Sequence, residues 1–108
     1  MRTVDTISAK ELDHYYKDAR ALIIDLREPE EYAKNHFISA VNIPYQELGN
    51  HNLPRDKILI LYCERGSTSL FAARELMKKG YRTKSVVGGF RSYRGPNLYF
   101  QDIHSRMY

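Results

Sequence analysis

With 108 residues the chain is long enough to bury one hydrophobic core and too short for two. Its 43% hydrophobic and 28% charged residues are ordinary for a soluble globular protein, and no apolar run approaches the ~20 residues of a membrane span. The net charge of +4 is spread along the chain without a basic block, which argues against a DNA or RNA reader, and the single cysteine excludes an intrachain disulfide. The segment MRTVDTISAKELDHYY lacks the apolar stretch of a secretory signal. The expected location is therefore cytoplasmic, with neither nucleic acid nor membrane as a partner.

The chain alternates strand and helix signals. Ser8 and Glu11 have the spacing of a capping box and predict a helix running to about Tyr16. ALIID, residues 21–25, is a short apolar run of the kind buried on both faces of a parallel sheet. Glu28-Pro29-Glu30-Glu31 places proline and carboxylates in a first helical turn, where both are favoured, and that helix is expected to end near Asn35. AVNI, residues 40–43, reads as a further strand stopped by Pro44. KILILY, residues 57–62, is the strongest strand signal. SLFAARELMKKG, residues 69–80, is the strongest helix, with Leu70, Ala73, Leu76 and Met77 on its predicted apolar face and Gly80 as its cap. KSVV, residues 84–87, reads as a last strand before Gly88-Gly89, and a short helix is expected over Phe90–Tyr93. This alternation predicts an α/β domain, a mainly parallel sheet with helices on both faces. In such sheets ligands bind beyond the carboxyl ends of the strands, where Asp25, Cys63 and Gly88-Gly89 all fall.

Cys63 follows the strongest strand, and the loop Glu64-Arg65-Gly66-Ser67-Thr68 joins it to the strongest helix. An isolated cysteine is usually a small buried hydrophobe. A tight turn into a helix N-terminus, however, aims backbone N–H groups at one point and favours a thiolate there. Gly66 frees the turn conformation, and the Ser67 and Thr68 hydroxyls are candidate inward donors as well as good N-caps. Arg65 is a candidate partner for an anionic substrate. Glu64 opposes it, because a carboxylate beside the thiol repels anions unless it points outward or pairs with Arg65. Asp25, Arg27 and Glu31 are read as structural support, an ion-paired cluster fixing the loop below the site. The spacing of His14, His51 and His104 suggests no metal site, and His36 is read as a hydrogen-bonded structural residue. Tyr62 and Tyr93 fit either the core or the pocket wall.

IIDLREPEEYAKNHFISAVNIP, residues 23–44, resembles the D-x-R-x-x-x-E-[FY] and G-H-I-x-x-A-x-N-[IL]-P segments of rhodanese-like domains, with Asn35 where the family often has glycine. LILYCERGSTSLFAARELMKKGYRTKSVVGGFRSYRG, residues 59–95, resembles their active-site loop, following helix, last strand and Gly-Gly turn. The resemblance implies one rhodanese-like domain over residues 1–95 with a five-stranded sheet. Residues 96–108 form a tail whose aromatic content predicts packing on the body or on a partner subunit. It further implies a sulfurtransferase in which Cys63 takes sulfur from a small donor such as thiosulfate and holds it as a persulfide. The sulfur then passes to cyanide, a thiol or a partner protein. No metal or organic cofactor is implied. With no second cysteine, the acceptor must come from outside the chain.

Two other functions compete. Tyrosine-phosphatase-like enzymes use C-x5-R, but the sixth position after Cys63 is Ser69 and the next arginine is Arg74, which disfavours phosphatase or arsenate-reductase activity. Non-catalytic rhodanese-like binding or signalling modules usually lack the cysteine, which this chain retains.

Overall fold

The computed structural model describes residues 3–101. Seven strands and three α-helices occur in it: β1 (Thr6–Ile7), α1 (Leu12–Tyr15), β2 (Ala21–Asp25), α2 (Pro29–Lys34), β3 (Asn35–Phe37), β4 (Val41–Asn42), β5 (Ile58–Tyr62), α3 (Ser67–Lys78), β6 (Arg82–Val86) and β7 (Leu98–Phe100). Five strands form a wholly parallel sheet in the order β1-β6-β5-β2-β4. The two most apolar runs, β2 and β5, are neighbours at its centre, and their register sets Asp25 opposite Tyr62.

Alternation along β5 divides the core. Leu59, Leu61 and Cys63 face one side with Ala72, Ala73 and Leu76 of α3 and with Leu48 from the 3-10 helix Tyr45–Asn50. Ile60 and Tyr62 face the other with Ala9, Leu12, Phe37 and Tyr93. Helical segments therefore cover both faces, as the alternation predicts. Cys63 stands one step beyond the strand, on the side where α3 begins. No helix among the described residues is long and apolar enough to cross a membrane.

Several boundaries differ from expectation. The first helical segment is a 3-10 turn, Ala9–Glu11, leading into a single α-turn, α1. Its start is as read: the Ser8 N–H and hydroxyl both donate to the Glu11 carboxylate, at 2.7 and 3.1 Å. The backbone bond first, then the hydroxyl, hold that carboxyl below its usual pKa. β4 is shorter than AVNI, and the last helix is a 3-10 turn over Phe90–Ser92. The largest correction concerns α3, which starts at Ser67 rather than Ser69 and buries Ser69, Ala72, Ala73 and Leu76. Leu70 and its neighbour Phe71 are exposed. Small residues on the inner face let the helix lie close to β6, close enough for the Thr83 hydroxyl to donate to the Ala73 carbonyl at 3.2 Å.

β3 and β7 have no counterpart in the sequence reading. They pair antiparallel, Phe37 opposite Leu98 and Asn35 opposite Phe100, so residues 98–100 lie against the body. His36 bonds the Tyr32 carbonyl at 2.7 Å and is stacked between Tyr32 and Tyr99, which fits its structural reading. Tyr62 and Tyr93 are both buried in the core rather than in the pocket wall. The Tyr62 hydroxyl accepts from the Phe37 N–H at 3.0 Å, and burial, with the charge of Asp25, pushes its pKa far up. Tyr93 donates to Asp13 at 2.6 Å and accepts from the Asn97 N–H at 3.0 Å.

Candidate active site

The loop between β5 and α3 makes its turn at Gly66, whose φ of +106° belongs to the region glycine tolerates. Leaving the strand at Tyr62 and entering the helix at Ser67, the chain wraps its own backbone around the sulfur. The Gly66 N–H points at Cys63 Sγ over 3.1 Å and the Ser69 N–H over 3.3 Å. Both donors lie at or within the start of α3, where N–H groups have no partner inside the helix. The thiol is 7% exposed, at the floor of a cleft of about 580 Å³ lined by Leu26, Arg27, Glu28, Glu31, Tyr45, Gln46, Glu64 and Thr68.

Ser69 is the donor that sequence reasoning missed. Its hydroxyl donates to the Gly66 carbonyl at 3.1 Å and shares a 2.8 Å bond with Ser85, so it locks the turn while its N–H faces the sulfur. The available signal was its place in a helical first turn, hidden by starting α3 two residues too late. Replacing Ser69 by alanine keeps the N–H but strips the buried Ser85 hydroxyl of its partner. That substitution is expected to cost about 1–3 kcal/mol in a urea titration.

The Gly88-Gly89 turn braces the loop from behind. Phe90 N–H donates to the Cys63 carbonyl at 2.8 Å and Arg91 N–H to the Glu64 carbonyl at 3.1 Å. A Cβ on Gly89 would stand 2.6 Å from the first of those oxygens and 2.5 Å from the second, so only glycine allows the approach.

Arg27 ties the other flank. It is buried, its Nη2 reaches Asp25 Oδ2 at 2.9 Å, and its own N–H donates to Asp25 Oδ1 at 2.8 Å. Nη2 also donates to the Asn35 carbonyl, and the guanidinium lies 4.2 Å over the Phe90 ring. Burial opposes the charge, but the hydrogen bonds and attraction of Asp25 outweigh it and raise the Arg27 pKa. Nη1 meets Glu64 Oε1 at 3.4 Å, so Glu64 pairs with Arg27 and not with Arg65.

The remaining candidates divide. Asp25 and Arg27 form the expected ion pair, whereas Glu31 stands on the cleft wall and pairs outward with Lys34 at 3.7 Å. Thr68 lines the cleft. Arg65 and Ser67 instead line a separate depression of about 220 Å³ with Leu70 and Val87, away from the thiol. Among the described residues no group of three or more His, Cys, Asp or Glu is placed to hold a metal ion.

A parallel sheet carrying a cysteine on a short strand-to-helix loop, backed by a Gly-Gly turn, defines a class of single-cysteine α/β domains. The family model for the rhodanese-like domain matches residues 8–95, and the chain belongs to that family. It is 38% identical over 103 residues to a tRNA sulfurtransferase of Desulfurococcus amylolyticus, covering 86% of this chain and 20% of that protein. The chain thus spans only about a fifth of that relative's length. It is 33% identical to the thiosulfate sulfurtransferase GlpE of Stutzerimonas stutzeri, over 75% of this chain and 77% of that one. The crystal structure of a rhodanese-related protein from Thermoplasma volcanium superposes with a TM-score of 0.81 at 29% identity, covering 90% of this chain and 99% of the other.

Proposed function

We propose that this chain is a sulfurtransferase in which Cys63 carries sulfane sulfur as a persulfide. The thiolate attacks the outer sulfur of a donor such as thiosulfate, forming the Cys63 S–S bond as sulfite leaves with the electron pair of the broken one. Cyanide or a thiol then attacks the carried sulfur and restores the thiolate. Charge and electrons balance without a metal, a cofactor or an external redox reagent.

The observation that carries this reading is the pair of N–H groups, from Gly66 and Ser69, aimed at the sulfur on the floor of an open cleft. Fixed donors of this kind stabilise an anionic sulfur without reorganising. The phosphatase alternative lacks its clamp, since the sixth residue after Cys63 is a buried serine already bonded to Gly66 and Ser85. The same reading makes Cys63 the catalytic residue. Glu64, Gly66, Thr68 and Ser69 are its surroundings, and Asp25, Arg27, Gly88 and Gly89 its scaffold. Residues 1–95 form the functional unit, with 96–108 an appended tail, acting in the cytoplasm on an external donor and a thiol, cyanide or protein acceptor.

The test is intact-mass measurement after incubation with thiosulfate, followed by addition of cyanide. The expected product is a species one sulfur atom heavier that cyanide discharges as thiocyanate. Cys63→Ser is expected to acquire none. Wild-type protein that never gains sulfur from thiosulfate or any persulfide donor sinks the proposal.

A further inference from the structure

We infer that the sulfur donor suited to this cleft is a persulfide flanked by positive charge, and that Glu64 is the residue setting that preference. The inference rests on the sulfurtransferase reading of Cys63 and narrows its substrate class. The chain as a whole carries +4, yet the cleft has the opposite sign. Its lining holds Glu28, Glu31 and Glu64 against one cation, Arg27.

That cation is already engaged. Asp25 takes Nε and Nη2, the Asn35 carbonyl takes Nη2 again, Phe90 covers one face, and Nη1 points to Glu64. A sulfonate seeking the guanidinium fork must displace Glu64 and then lie beside two further carboxylates. Glu28 is held in place by Gln46 at 3.1 Å. Lys34 meets Glu31 at 3.7 Å, but Lys34 is not part of the lining, and both side chains are more than half exposed. Arg65, the other cation of the loop, lines the separate depression.

The site therefore changes sign between its floor and its walls. On the floor, the Gly66 and Ser69 N–H groups favour an anionic sulfur; on the walls, carboxylates repel any anion that brought it. Thiosulfate must put its sulfite portion against that wall. A persulfide R–S–SH with an ammonium or guanidinium in R puts a cation there instead. In that transfer the Cys63 thiolate bonds to the outer sulfur and the donor's S–S bond breaks. The inner sulfur leaves with the electron pair and takes the proton. A persulfide anion remains on Cys63 and a neutral thiol group departs on R, with nothing oxidised or reduced overall.

The test compares sulfur loading from thiosulfate, a dianion, with loading from cysteamine persulfide, which carries an ammonium. Raising salt from about 10 mM to about 150 mM shrinks the screening length from about 30 Å to about 8 Å. Loading efficiency with thiosulfate is expected to rise and that with cysteamine persulfide to fall. Glu64→Gln is expected to lower KM for thiosulfate about tenfold and to raise KM for cysteamine persulfide. The double variant Glu28→Gln/Glu31→Gln, outside the loop, is expected to shift both in the same directions. The inference is overturned if salt moves both donors the same way, or if the variants change kcat without separating the two KM values. If wild type loads sulfur from neither donor, the sulfurtransferase reading fails and takes the inference with it.

Discussion

Asp25→Ala is expected to destabilise the protein by about 3–5 kcal/mol, because it leaves the buried Arg27 guanidinium with only the solvent-exposed Glu64, at 3.4 Å, as a counterion. Asp25 is fully buried and Arg27 is 7% exposed, so water does not replace the lost carboxylate. A domain of this size holds only about 5–15 kcal/mol in total, and the variant should unfold at a far lower urea concentration. Removing both charges is a different experiment. In Asp25→Ala/Arg27→Met no charge is left stranded, and part of the loss is expected to return. The two single variants and the double one form a cycle whose coupling energy measures the pair. A loss below about 1 kcal/mol for Asp25→Ala would mean that Arg27 reaches solvent and that the pair is an ordinary surface bridge. The effect should extend to the site, since the same guanidinium holds the Asn35 carbonyl and Glu64.

Gly89→Ala is the second large effect, and its cause is steric. Gly89 has φ +67° and ψ −164°, a conformation essentially reserved for glycine. The added Cβ would also lie within 2.6 Å of the Cys63 and Glu64 carbonyl oxygens. Those are backbone atoms of the loop that cups the sulfur, so relief requires moving the loop itself. A loss of about 3 kcal/mol or more is expected, together with at least a tenfold fall in persulfide loading. Gly49→Ala supplies the control, because its Cβ meets nothing within 4 Å. Calorimetric melting curves of the two variants should differ widely, with Gly49→Ala within about 0.5 kcal/mol of wild type. Equal melting temperatures for the two would show that the turn does not press on the loop as described.

What the sequence made legible follows how local each cause is. β2 is bounded as read, β5 begins one residue later, and their apolar runs needed no distant partner to be recognised. The Cys63 loop was legible because its parts are contiguous. β1 was not, being a two-residue strand that exists because Thr6 and Ile7 align with Ser85 and Val86. β3 and β7 lie some sixty residues apart, and neither carries an alternating pattern that would call for the other. The partner of Glu64 was left open for the same reason. Arg65 is adjacent in the chain, but Arg27, 37 positions away, is the one the fold delivers. Leu70 was assigned to the core because it is apolar, whereas close approach of α3 to β6 selects the small residues Ser69, Ala72 and Ala73.

The parallel sheet has a consequence for behaviour in concentrated solution. Its outer strands, β1 and β4, are each two residues long, so each open edge offers a neighbour very little ladder to extend. The long strands with strong β-forming sequence, β2 and β5, sit side by side at the centre with their polar backbone groups committed inward. On the rim of this five-stranded sheet, among the described residues, a second molecule finds no strand longer than two residues to dock against. ILILY, a segment well suited to self-stacking, is presented to other chains only when the sheet comes apart. Resistance to aggregation in this protein should therefore track its folding stability closely, and variants that loosen the Asp25–Arg27 pair should also be the ones that precipitate.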